Sequence, residues 1–148
     1  MKTTDFCPYE LSKKLKECGF DEPCDHYYCA FDNETDVRFW SVHPAQSQNG
    51  FTNPDGKVIV DAPTLAHAQK WLREGATLHV GAYPAVPTRK WHFYIDDLNQ
   101  HVNPHDGELM TRWDEDMQEK ADERLYDSYE CALAAGISAS LELIKKGE

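Results

Sequence analysis

The chain has 148 residues, a formal net charge of -11, 11% aromatic residues and a mean hydropathy of -0.69. A chain of this length buries roughly 70% of the surface its unfolded form exposes, so a single domain over 1–148 is expected without a stapling metal or disulfide. The negative charge argues against generic binding to phosphate backbones and anionic membranes, and no apolar run approaches the roughly 20 residues of a membrane span.

The first predicted element is a short helix. Pro8 suits its first position, Cys7 and Glu10 have capping-box spacing, and Leu11, Leu15 and Cys18 share one face. Gly19 is expected as the left-handed residue that ends it, with Phe20 folding back in a Schellman motif. His26–Phe31 and Val37–Val42 read as paired strands around turn residues 32–36. Pro44–Gly56 is rich in Gln, Asn, Ser, Gly and Pro and reads as a loop, and Val58–Val60 as a short strand.

Thr64 is the expected N-cap of a second helix, with Leu65, Ala68, Trp71 and Leu72 as its apolar stripe and Gly75 as its end. Leu78, Val80 and Ala82 then alternate with His79, Gly81 and Tyr83, and Trp91, Phe93 and Ile95 with His92, Tyr94 and Asp96. Two adjacent runs of period two predict a hairpin. Residues 98–127 carry turn signals and the start of a polar helix at Asp114, and read as a surface segment of low local stability. The last helix, near Ser128–Lys146, places Tyr129, Leu133, Ile137, Leu141 and Ile144 on one stripe beside small residues Ala132, Gly136 and Ser140, with Asp127 and Glu130 at capping-box spacing. The fold expected is α+β, an antiparallel sheet of about four strands with amphipathic helices mainly on one face.

Candidate chemistry is sparse. Cys18, Cys24, His26 and Cys29 cluster in sequence but lack paired zinc knuckles, and read better as buried thiols. Five cysteines and no apolar export signal after Met1 imply a cytoplasmic protein with free thiols. His101 and His105 flank Pro104, which opposes a helix carrying both. Asp96 and Asp97 are adjacent, so a strand points them to opposite faces. No phosphate-binding glycine loop is present, and neither a cofactor nor a metal is expected.

The hairpin's polar face is the remaining candidate. If Leu78, Val80, Phe93 and Ile95 face the core, then His79, Tyr83, His92 and Tyr94 lie opposite. They are expected to be exposed as a protein-binding surface, with the acidic segment Asp106–Asp127 at its rim.

The run Pro63-Thr64-Leu65-Ala66-His67-Ala68-Gln69-Lys70-Trp71-Leu72-Arg73-Glu74, the strand Trp91-His92-Phe93-Tyr94-Ile95 and the stretch Tyr129-Glu130-Cys131-Ala132-Leu133-Ala134-Ala135-Gly136-Ile137 together resemble small uncharacterised proteins of Bacteroides-type phages and mobile elements. Residues Tyr9–Phe20 fit the same pattern. The similarity spans most of the chain except Pro44–Gly56 and the acidic stretch after Gly107. The resemblance implies a mobile-element accessory protein and transfers no catalytic residue. The expected function is non-enzymatic binding of a host or phage protein. The alternative is a small hydrolase or nuclease using His92, Asp96, His101 and His105, for which convergence in one cleft is the criterion.

Overall fold

The computed structural model describes residues 2–31, 33–41, 51–52 and 58–146. The chain is α+β, and its residues group into two compact units, Met1–Ala68 and Gln69–Glu148. Most of the loop expected at Pro44–Gly56 lies outside the described residues, as does Val42.

In the first unit, helix α1 (Tyr9–Glu17) buries Leu11 and Leu15. Its end is the Schellman motif expected: Gly19 has φ of +99°, Phe20 N donates to Leu15 O at 2.9 Å, and Gly19 N donates to Lys16 O at 3.0 Å. At the other end Pro8, rather than Cys7, is the capping residue. Strands β1 (His26–Phe31), β2 (Asp36–Ser41), β3 (Phe51–Thr52) and β4 (Val58–Asp61) form an antiparallel sheet in the order β2-β1-β4-β3. Tyr28, Cys29 and Ala30 are all buried in β1, and the Tyr28 hydroxyl donates to Cys7 O at 2.7 Å. Burial pushes the Cys7 thiol above its ordinary range. It also pushes Cys24 up to about 12, with the Asp61 carboxylate adding to the effect. Helix α2 (Leu65–Trp71) begins at Thr64, whose Oγ1 accepts from His67 N at 3.0 Å, the cap expected.

In the second unit the chain leaves α2 through one wide turn, Leu72–Ala76. Gly75, the predicted end of the helix, lies inside this turn, and Thr77, with φ of +55°, closes it in the left-handed region. Thr77 is held there from outside, by Leu98 N on its carbonyl at 2.8 Å and Arg112 Nη2 on its hydroxyl at 2.9 Å. Strands β5 (Leu78–Ala85) and β6 (Lys90–Asp97) make the predicted hairpin. Helix α4 (Tyr129–Lys146) packs on it, with Leu133, Ile137 and Leu141 buried as the stripe requires. Tyr129, on the same stripe, stays partly exposed and sets its ring edge-on to Trp91 at 5.5 Å. A Cβ added to Gly136 would lie 2.7 Å from Val80 Cγ1 and 3.0 Å from Phe93 Cβ, so only glycine allows this approach. The cap is Ser128, whose Oγ accepts from Cys131 N at 3.1 Å. Asp127, the residue predicted for that role, pairs with Lys90 instead.

Between hairpin and last helix lie a two-stranded ribbon, β7 (His101–Val102) with β8 (Leu109–Met110), and helix α3 (Glu115–Asp122). Asp114 caps α3 through Met117 N at 2.9 Å. All strand pairs among the described residues are antiparallel, as expected. They are shared among three small sheets of four, two and two strands.

Candidate functional site

Cross-strand partners share a face, so the register of β5 and β6 assigns every side chain. Val80 faces Ile95 and Ala82 faces Phe93 on the side that meets α4; His79 faces Asp96, Gly81 faces Tyr94, and Tyr83 faces His92 on the other. The four residues singled out by sequence therefore stand together. Their rings run in a ladder: His79 to Tyr94 at 5.8 Å, Tyr94 to Tyr83 at 6.2 Å, Tyr83 to His92 at 5.0 Å. The missing side chain at Gly81 makes room for this, because the Tyr94 ring lies where a Cβ at Gly81 would be.

The exposure expected for this face is only partly realised. All four residues are half-buried, and the His92 side chain is 15% exposed. The cause is α3. Asp122 Oδ1 accepts from the Tyr83 hydroxyl at 2.6 Å and lies 3.9 Å from His92 Nδ1. Burial, reinforced by this hydrogen bond to a carboxylate, pushes the Tyr83 phenol up to about 12. Gln118 fixes the helix against the strand. Its Nε2 donates to Phe93 O at 2.8 Å and to Asp122 Oδ1 at 3.0 Å, while its Oε1 accepts from Trp113 Nε1 at 2.7 Å and Ile95 N at 3.4 Å. His79 Nδ1 and His92 Nδ1 are enclosed without a hydrogen-bond partner.

Where α3 begins, the face opens. Tyr83, Tyr94 and Trp113 form the aromatic walls of a recess of about 350 Å³, and Asp96, Asp114 and Glu115 supply its carboxylates. A second recess of about 520 Å³ shares Trp113, Asp114 and Glu115 and extends past Leu109 and Thr111 to Asp116. The groove is thus displaced from the predicted centre. Tyr83 and Tyr94 line it; His79 and His92 are the two ends of the ladder and do not.

The two adjacent aspartates have separated as alternation requires. Asp96 is exposed at the groove, whereas the Asp97 side chain is 3% exposed and clasped by Arg112. Arg112 reaches Asp97 Oδ1 with Nη2 at 2.6 Å and Oδ2 with Nε at 3.1 Å, and its backbone N donates to Oδ2 at 2.8 Å. These bonds hold the Asp97 carboxyl down at about 2. The residues missed by sequence reading are Trp113, Gln118 and Asp122. The one local signal for them was the cap at Asp114, which places Gln118 and Asp122 one helical turn apart on one face.

Of the residues named for a hydrolase or nuclease, only Asp96 lines the recess. His101 and His105 are exposed on the ribbon, where His101 Nδ1 sits 3.5 Å from Asn99 O and the His105 backbone N donates to Asn103 Oδ1 at 2.9 Å. Among the described residues, no group of three or more His, Cys, Asp and Glu is placed to hold a metal ion, and no helix is long and apolar enough to cross a membrane. Comparison with protein-family models, with curated proteins and with solved structures finds no match to the chain.

Proposed function

We propose that the protein is a non-enzymatic accessory protein of a phage or mobile element that acts in the cytoplasm by binding another protein through the groove beside α3. The observation that carries this reading is the recess lined by Tyr83, Tyr94 and Trp113, which adjoins a second recess lined by exposed Leu109. Rigid aromatic rings give contact area at low entropic cost and are enriched among binding anchors. The ring ladder and the Gln118 bonds hold these walls in place before a partner arrives, which lowers the cost of binding. The hydrolase reading draws no comparable support, since its four residues are dispersed.

A photo-crosslinking residue at exposed Glu115, compared with one at exposed Lys70, tests the proposal in the native host. The expected result is one stoichiometric protein adduct from position 115, absent from position 70 and lost in Trp113→Ala protein that still unfolds cooperatively. No adduct from position 115, or the same adducts from both positions, would overturn it.

A further inference from the structure

We infer that the groove accepts a cationic side chain, Arg or Lys, from a protein segment whose neighbouring apolar residue seats on the β7–β8 side. This rests on the protein-binding reading above and specifies its partner. The first recess sets three aromatic walls around three carboxylates, Asp96, Asp114 and Glu115. A guanidinium or ammonium group fits both parts: it is drawn to the face of an aromatic ring and hydrogen-bonds carboxylates with charge assistance.

No cation of the described residues neutralises these carboxylates, although Asp114 Oδ1 accepts from Met117 N at the start of α3. Among the described residues, Asp96, Asp114 and Glu115 take part in no ion pair. The cation next to them in sequence, Arg112, is committed to Asp97. Lys90, which starts β6, is committed to Asp127.

The second recess explains why the cation should have an apolar neighbour. Leu109, which lines it, is 57% exposed, and its cross-strand partner Val102 is 61% exposed. Leu109 and Val102 share one face of the ribbon, so the aliphatic surface beside the recess is theirs. The two recesses share Trp113, Asp114 and Glu115. One bound segment would therefore place two nearby side chains, one in each recess. A second copy of this chain is a poor occupant, because each copy carries a net charge of -11. Nucleic acid is a poor one for the same reason.

The test uses the full-length, isotopically labelled protein and the indole N–H resonance of Trp113, assigned by its loss in Trp113→Phe. Short blocked peptides of equal length carry Arg-Leu, citrulline-Leu or Glu-Leu pairs. The Arg-Leu peptide should shift the Trp113 indole and the Asp96 and Glu115 amides saturably. The variant Asp96→Asn/Asp114→Asn/Glu115→Gln should bind it at least about tenfold more weakly. That variant keeps the start of α3 intact, because asparagine caps a helix about as well as aspartate. The variant Glu10→Gln/Glu17→Gln/Asp21→Asn removes the same charge from residues that line neither recess and should bind the peptide unchanged.

Equal binding of the citrulline peptide would overturn the inference while leaving the protein-binding reading standing. So would equal weakening by the two variants, which would reduce the effect to bulk charge, or the same shifts from calcium ion alone. If no peptide moves the Trp113 indole although crosslinking at Glu115 succeeds, the cationic inference alone falls.

Discussion

Asp97 and Arg112 show what a single pair contributes. The carboxylate sits on the core side of the hairpin, directly across from buried Leu78. A lone charge there would be costly; three hydrogen bonds from Arg112 and one from Asn99 N, at 3.0 Å, satisfy it. Its carboxyl titrates at about 2 in the folded chain, against about 3.9 when unfolded. A depressed carboxylate stabilises the fold fully above its unfolded value, and that stabilisation is lost as pH falls through the folded value. Between about pH 6 and about pH 2 the wild type should therefore lose on the order of 2 kcal/mol more stability than Asp97→Asn. Urea unfolding of both proteins across that range is the measurement, and parallel losses would show that the clasp carries no pH-dependent stability.

Among the elements, α4 does most to order the second unit. Truncating Ile137 to Ala should cost about 2–5 kcal/mol by leaving a cavity between helix and hairpin. Gly136→Ala should cost about 1–3 kcal/mol for the opposite reason, because its methyl would press on Val80 and Phe93. Denaturant unfolding reads both, and a change below about 0.5 kcal/mol at Ile137 would contradict the packing. This helix was legible in the sequence because its stripe is a near-neighbour property, as were the hairpin alternation, the Thr64 cap and the Gly19–Phe20 ending. What was not legible depends on residues far apart in the chain. Nothing local links Tyr83 to Asp122, Phe93 to Gln118 or Asp97 to Arg112. For that reason the aromatic face and the start of the polar helix at Asp114 were legible, while the docking of that helix over the face and the groove beside it were not. The cap of α4 failed for a similar reason. Asp127 and Ser128 are both good capping residues, and the distant Lys90 engages the former.

At the scale of the whole molecule, acidity decides what the surface attracts. The chain should give no salt-sensitive mobility shift with random-sequence duplex DNA near physiological salt, since it offers little to displace condensed counterions. A strong shift would reveal a basic surface that the net charge conceals. The edge of the hairpin bears on association in another way. Along β6, Trp91 exchanges two backbone hydrogen bonds with Tyr126, and the Gln118 amide occupies Phe93 O and Ile95 N. On β5, Gln69 Nε2 donates to Val80 O at 2.5 Å. A two-stranded ribbon would ordinarily be a template on which foreign chains align and stack toward fibrils. Here side-chain amides stand where a recruited backbone would bond, so β6 resists growth by strand addition, and recognition on this side of the hairpin falls to the shape and charge of side chains.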